Sequence, residues 1–212
     1  MAARRTLRLR RESPRFRQWA SRGRVVTRMS ADTVAALRSA VTDPVVLGRY
    51  WSHVQVASAD QCWLWTGAIS GKGHGRFQIA DRRVAGVDGK LVRQTFVVIA
   101  HRFGAALTYG VDALLEIPVL AHRCDNPLCQ NPRCWQASNH RHNGLDASRR
   151  RDIVRGPLAD VRGARGRARA VRDAVKSGQP VDQAMLAGLR PVHRAQLDLF
   201  DTLIPNGDDP TR

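Results

Sequence analysis

Lysine and long apolar runs are both scarce in this chain of 212 residues. Of its 35 basic residues only Lys72, Lys90 and Lys176 are lysines, so arginine carries nearly all the positive charge. No run of about 20 apolar residues occurs, which excludes a transmembrane helix. No apolar core follows the charged N-terminus, so we expect no secretory signal. These absences predict a cytoplasmic protein that does not associate with a membrane.

Acidic residues are also few, and the resulting charge is unevenly distributed. The formal net charge is +17, of which residues 1–28 contribute +9 and residues 147–176 contribute +7. Residues 29–146 are nearly balanced, at +3. Two cationic segments therefore flank an ordinary globular region, and nucleic acid is the default polyanionic partner. Arginine can donate two hydrogen bonds to one phosphate, which favours contact with a DNA backbone. The alternative is a solvated arm with no partner.

The pattern along the chain predicts three regions. Residues 1–28 show no hydrophobic period, which is typical of a disordered basic arm. Residues 29–151 mix helical and strand patterns, which indicates an α+β domain. Residues 152–212 combine a glycine-containing linker with a basic helical appendage.

The expected elements follow from periodicity and from turn residues. We expect helices over 30–40, 43–53, 101–109, 138–151, 167–175 and 183–189, and strands over 60–67, 76–80, 91–100 and 117–122. Gly71, Gly73 and Gly75 predict a hairpin loop after the first strand. The strand over 91–100 is apolar and β-branched, so we expect it to be buried. Ser138 is the expected cap of the helix that carries Asn143.

The chain has only four cysteines, and three of them lie close together. Cys124, Cys129 and Cys134 are spaced by five residues, and Cys62 lies on a separate predicted strand. Without an export signal, these residues are expected to be reduced thiols or metal ligands rather than disulfides. Four thiolates complete a tetrahedral zinc site, and such a site would be structural because the protein fills every position. The alternative is a set of small buried apolar side chains.

The same stretch carries a histidine and an asparagine with possible roles in phosphodiester hydrolysis. His122 ends a predicted strand, and Asn143 follows 21 residues later on a predicted helix. An imidazole can take a proton from an attacking water near neutral pH. A neutral amide oxygen can hold a hard ion such as Mg²⁺ beside a phosphate. Taken alone, a single histidine and a single asparagine are more often structural.

Several motifs in register resemble one nuclease family. The segment LAHRCDNPLCQNPRCWQASNHRHNGLD over 120–146 is preceded by CWLWTG at 62–67, GHGRF at 73–77 and AHR at 100–102. Together they resemble the HNH, or His-Me finger, nucleases, in particular the His-Cys box homing endonucleases and phage HNH proteins. The resemblance spans about residues 60 to 150. It departs from many relatives at Cys134, where they have histidine, and at Trp135, where they have leucine.

The resemblance implies a fold and a set of roles. It implies a ββα-metal domain with a structural zinc held by the four cysteines, and a metal-dependent endonuclease in a bacterial or phage-infected cell. It implies His122 as the general base and Asn143 as the ligand of a catalytic Mg²⁺. By position, His101 and Arg76 are candidates to support catalysis. The candidates for contact with double-stranded DNA are Arg102, Arg149, Arg150 and Arg151.

Two other functions remain open from the sequence. A non-catalytic, zinc-stabilised DNA-binding module would keep the cysteines and arginines without needing His122 near Asn143. A protein that binds or cuts RNA is a third possibility. A homodimer is possible for the nuclease, since one site nicks one strand and two sites can cut both.

Overall fold

Two capped helices open the part of the chain described by the computed structural model, which covers residues 29–85, 87–150 and 159–190. They are α1 (Ala31–Ala40) and α2 (Pro44–Ser52). The Ser30 hydroxyl accepts a backbone N–H at the start of α1, and the Asp43 carboxylate does the same for α2. Such caps satisfy donors that have no partner within the helix. Both helices were predicted from the sequence, and both are confirmed.

Within the described ranges, six strands form three separate two-stranded antiparallel sheets. The pairs are β1 (Val54–Gln55) with β2 (Leu64–Trp65), β3 (Arg76–Ala85) with β4 (Leu91–Ile99), and β5 (Val119–His122) with β6 (Trp135–Ser138). With the helices they make a mixed α+β fold, as predicted.

The predicted hairpin loop at Gly71 and Gly73 is confirmed, but the residues that pair across it are 68–70 and 74–76, and not the predicted strands over 60–67 and 76–80. The glycine-containing segment closes a small turn of its own, in which the Ser70 N–H donates to the His74 carbonyl at 2.8 Å and Ile69 bridges Gly75. That turn reverses the chain before β3 begins, so β2 pairs with β1 and β3 pairs with β4.

The predicted burial of the strand over 91–100 holds only for its second half. Phe96 and Val98 are buried, whereas Leu91 and Val92 are 66% and 47% exposed. The start of β4 pairs with the end of β3, where most side chains are likewise exposed. The far end of this ribbon therefore lies outside the core.

Short elements follow the ribbon. They are α3 (Ala100–Tyr109), α4 (Val111–Leu115), a 3-10 turn (Pro132–Cys134) and α5 (His140–Arg150). Neither α4 nor β6 was predicted. Ser138 does not cap α5, because it is the buried last residue of β6; the Asn139 side chain instead accepts the His142 N–H at 2.9 Å.

The C-terminal described segment packs on the same core. It contains α6 (Gly163–Ser177) and α7 (Val181–Leu186). Ala168 and Val171 of α6 belong to the main buried cluster. The fully buried Asp160 carboxylate pairs with the Arg162 guanidinium at 2.6 Å. The predicted boundary after residue 151 and the predicted arm over 1–28 lie outside the described residues.

Aromatic rings make the centre of the core. Tyr50 lies between Trp65 and Phe103, with ring centroids 5.7 and 5.0 Å away. Its hydroxyl donates to the side-chain oxygen of Gln130 at 3.0 Å, which connects α2 to the loop between β5 and β6. None of the helices in the described ranges has the length and apolar surface that a membrane crossing requires.

Candidate metal centre and histidine cluster

The four cysteines meet at one point, as their spacing predicted. The Sγ atoms of Cys62, Cys124, Cys129 and Cys134 all lie within 4.8 Å of one another. In a tetrahedral zinc site with Zn–S bonds of about 2.3 Å, neighbouring sulfurs lie about 3.8 Å apart. Four soft donors at this separation fit a metal ion such as zinc. The thiols are not engaged in disulfides.

Hydrogen bonds fix the loop that carries three of these cysteines. The Asn131 backbone N–H donates to the Cys129 sulfur at 3.4 Å, an arrangement that supports a thiolate ligand. The Asn131 side-chain amide donates to the Ala59 and Gln61 carbonyls at 2.9 and 2.6 Å. This buried asparagine therefore joins the loop to the segment just before Cys62.

The thiols strongly influence one another's ionisation. The pKa of Cys124 is lowered because its sulfur accepts hydrogen bonds from Cys129 and Cys62. The pKa values of those two thiols are raised, first because they donate to Cys124 and also because burial disfavours their charge. Four thiolates cannot share this space without a cation between them. The cluster thus has the electrostatic character of a metal site.

His122 and Asn143 lie on neighbouring elements. His122 ends β5 and pairs in register with Trp135 of β6, while α5, which carries Asn143, packs against β5. Along the chain, β5 is followed by the long cysteine loop, then by β6 and then by α5. Asn143 is exposed, and its backbone N–H donates to the Asn139 carbonyl at 2.9 Å within the first turn of α5.

The tautomer of His122 follows from its hydrogen bond. Its Nε2 lies 3.0 Å from the Cys129 carbonyl oxygen. A carbonyl can only accept, so Nε2 carries the proton and Nδ1 keeps a free lone pair. The same carbonyl accepts the indole N–H of Trp135 at 3.2 Å, which holds it in place. Burial lowers the pKa of His122, which favours the neutral ring.

Two further histidines surround His122. The His101 ring at the start of α3 lies 4.5 Å from the His122 ring, and the His74 ring lies 5.4 Å from His101. One ring nitrogen from each of the three lies within 4.8 Å of the others. The sequence identified His101 as a site candidate, whereas His74 entered only as part of the GHGRF motif at 73–77. The feature of the sequence that could have drawn attention to His74 is the pair of glycines that flank it in the GHG motif.

Glycine is required next to His74. Gly73 has a φ of +84°, and a Cβ there would lie 2.7 Å from the Ala164 carbonyl oxygen of α6. Both features exclude a larger residue without movement of the backbone. The turn that carries His74 is thus held against the beginning of α6.

The surroundings of His74 and His101 favour the neutral form of each ring. Burial, with the nearby His122, lowers the pKa of His74 to about 4. Burial, followed by the charges of His122 and His74, lowers the pKa of His101 well below its ordinary value. His101 is 4% exposed, and its Nδ1 has no hydrogen-bond partner. The cluster is therefore a set of neutral imidazoles near physiological pH.

The predicted arginines occupy different environments. Arg76 is exposed at the start of β3, two residues beyond His74. Arg102 is half-buried and donates to the Ile117 and Leu114 carbonyls at 3.3 to 3.4 Å, so it closes the end of α4. Burial lowers the pKa of Arg102 to about 10.

The basic end of α5 is partly used within the fold. Arg149 is exposed. Arg150 pairs with Asp125 of the cysteine loop, and with Asp146 at 3.7 Å. Arg151 lies outside the described residues. The Arg150 pair attaches α5 to the cysteine loop.

A second basic surface lies on α6. Four of its cationic residues occur at the spacing of one helical face, opposite the buried Ala174. We call this face the α6 basic face, and it consists of Arg165, Arg169, Arg172 and Lys176. Arg172 pairs with Asp173 at 2.8 Å, while the other three are exposed.

The fold and site define an α+β protein with a four-cysteine cluster suited to a metal ion. The chain is 31% identical over 94 residues to "Protein 2.8" of Escherichia phage T7, a match that covers 44% of this chain. The match covers 53% of that protein, so the chain spans about half the length of its phage relative. No family model matches the chain. No solved structure matches it.

Proposed function

We propose that the chain is an HNH-type endonuclease of the ββα-metal class that hydrolyses DNA phosphodiester bonds. The observation that carries the proposal is the orientation of His122 at the end of β5. Its Nε2–H is held by the Cys129 carbonyl, so its Nδ1 is available as a base. β5, β6 and α5 follow one another in the order that gives this class its name. The phage relative is compatible with action in a phage-infected cell.

In this proposal His122 acts on water. Its free nitrogen takes a proton from the water that attacks phosphorus, a role for which a neutral imidazole is suited. The bond to the 3′ oxygen breaks, and the product carries a 5′ phosphate. His101 packs against His122 and keeps its ring in position, while Arg76 supplies positive charge to the phosphate.

Asn143 can supply one oxygen ligand to a Mg²⁺ ion. Its amide oxygen is a hard donor on an exposed helix face next to β5. Mg²⁺ commonly takes only one or two protein ligands and completes its shell with water and substrate phosphate oxygens. Bound there, the ion would stabilise negative charge on the phosphate and the leaving oxygen.

We assign a structural zinc to the cysteine cluster. All four donors come from the protein, so no position is left for substrate. The zinc would hold the Cys129 carbonyl in place and, through it, His122. Binding would stabilise the fold by on the order of 10 kcal/mol.

The α6 basic face is the proposed contact with the DNA backbone. Three of its residues are exposed, and the first turn of α6 contacts the turn that carries His74. Cations along one helix face suit a row of phosphates. This surface also favours the second candidate, a zinc-stabilised DNA-binding module without catalysis.

Plasmid nicking tests the proposal. Purified zinc-loaded protein is compared with and without Mg²⁺, beside His122→Ala and Asn143→Ala. We expect Mg²⁺-dependent nicking that falls by about 10²- to 10⁴-fold in His122→Ala, with a large loss in Asn143→Ala and with zinc content unchanged. His140→Ala is the matched control, since this exposed histidine lies on the same helix as Asn143. A nick in one strand indicates a monomer, and concentration-dependent double-strand cleavage indicates a homodimer.

The second candidate, the zinc-stabilised DNA-binding module, predicts binding without nicking. Tight DNA binding without cleavage in any divalent metal would contradict the nuclease and support the binding module. Preferential cleavage of single-stranded RNA over duplex DNA would redirect the proposal to RNA.

A further inference from the structure

The histidine cluster adjoins the cysteine cluster through the hydrogen bond from His122 to the Cys129 carbonyl, but it consists of another kind of ligand. His74 comes from the turn before β3, His101 from the start of α3 and His122 from the end of β5. Three segments that are distant in sequence thus converge on one point. The described residues contain one other such group, the four cysteines.

We propose that His74, His101 and His122 form a second metal site, which takes a borderline divalent ion such as Ni²⁺ or Zn²⁺ and, when filled, blocks His122. The blocking depends on the proposed nuclease function, whereas the metal binding does not.

The separations between the ring nitrogens would suit such an ion if the three rings moved slightly closer together. One ring nitrogen of each histidine lies within 4.8 Å of the others. Two imidazole nitrogens bound to one tetrahedral ion at about 2.1 Å lie about 3.4 Å apart. The three rings therefore need to approach by little more than an ångström.

Two of the three rings have an uncommitted nitrogen. His101 Nδ1 is buried and has no hydrogen-bond partner. His122 Nδ1 keeps its lone pair because Nε2 donates to the Cys129 carbonyl. A backbone carbonyl that holds the opposite nitrogen of a histidine is the usual outer support of a metal ligand. The cluster thus contains both the ligand atoms and a support for one of them.

The donor set selects the ion. Three imidazoles without a carboxylate suit Zn²⁺, Ni²⁺ or Cu²⁺, whereas Mg²⁺ and Ca²⁺ require oxygen ligands. A site with three histidines keeps a fourth position open to water. Because its donors are all nitrogen atoms, the site would not compete for the Mg²⁺ assigned to Asn143.

Occupancy would have a functional consequence. An ion on His122 uses the lone pair that takes the proton from the attacking water. Micromolar transition metal would then inhibit Mg²⁺-dependent nicking without displacing Mg²⁺ or the structural zinc.

Equilibrium dialysis against Ni²⁺ tests the site. Protein already loaded with zinc is dialysed, and zinc and nickel per chain are measured. We expect one nickel per chain with zinc retained, and an affinity at least tenfold weaker in His74→Gln and in His101→Gln. His140→Gln, which removes an exposed histidine, should bind nickel normally. Retained zinc and an unchanged circular dichroism spectrum identify folded variants.

Nicking assays with Mg²⁺ and added Ni²⁺ test the blocking. We expect inhibition of the wild-type protein, and His74→Gln should keep its Mg²⁺ activity but resist Ni²⁺. No nickel beyond the zinc, or equal nickel binding by the folded His74→Gln variant, would overturn the site. Nicking supported by Ni²⁺ alone would overturn the blocking. Nickel binding that depends on His74, in a protein that never nicks DNA, would support the site and overturn the nuclease.

Discussion

The cysteine cluster and the histidine cluster meet at the end of β5, where His122 donates to the Cys129 carbonyl, and they are built differently. Three of the four cysteines lie within eleven consecutive residues, and Asn131 ties that loop to the segment before Cys62. The three histidines come from separate segments, and His101 Nδ1 has no partner. The first cluster is therefore braced by hydrogen bonds of its own loop, whereas the second depends on contacts between distant segments.

The largest expected effect is the loss of folding when the cysteine cluster is broken. Cys129→Ser removes a buried ligand, so we expect the protein to lose most of the metal contribution of about 10 kcal/mol. Urea unfolding with bound zinc measures the loss. The same substitution in the zinc-free protein is the control and should cost little. An equal cost in both forms would mean that the cysteines act as apolar packing.

A smaller effect is expected from the α6 basic face, which lies on the helix whose first turn contacts the turn that carries His74. Replacing Arg165, Arg169 and Lys176 with glutamine should weaken DNA binding. The slope of log affinity against log salt should fall by about 0.9 for each phosphate that the variant no longer neutralises. Zinc content should not change. The control replaces three exposed cations of the β3–β4 ribbon, Arg83, Lys90 and Arg93. Equal effects of both sets would indicate a diffuse charge effect instead of a binding face.

The smallest expected effect is on stability when the histidine cluster is altered. His101→Leu removes the hydrogen bond to the Leu120 carbonyl but also removes a buried nitrogen without a partner. These contributions oppose each other, so we expect the free energy of unfolding to change by less than about 1.5 kcal/mol. Urea unfolding of the zinc-loaded protein measures it. A loss as large as that in Cys129→Ser would contradict the distinction between the two clusters.

Local patterns predicted the parts of the fold that depend on local interactions. Periodicity along the chain predicted the first two helices, and each begins at a side-chain cap, Ser30 or Asp43, which is a contact between residues a few positions apart. The spacing of Cys124, Cys129 and Cys134 predicted that these three lie together, and Cys62 was added as the one remaining cysteine of the chain. The partner of β3 was missed, since the glycines before it indicate a turn but not which strand follows in the sheet.

Contacts between distant segments could not be read in this way. His74 differs from an ordinary turn residue only through its contacts with His101 and His122, which exist after folding. Asn139 displaced Ser138 as the cap of α5 because β6, an unpredicted strand, extends through Ser138. The helical start at Gly163 was missed because glycine usually interrupts a helix; here it lies at the first position with a φ of +67°.

The contact between Gly73 and Ala164 has a consequence for how the protein matures. About 90 residues separate these two positions, so this contact closes one of the longer loops of the chain and carries a corresponding entropic cost. During synthesis the cysteine loop emerges before α6 does. Metal uptake by the cysteine loop could therefore precede completion of the turn that carries His74, and a ribosome-bound chain would complete its cysteine cluster before its histidine cluster.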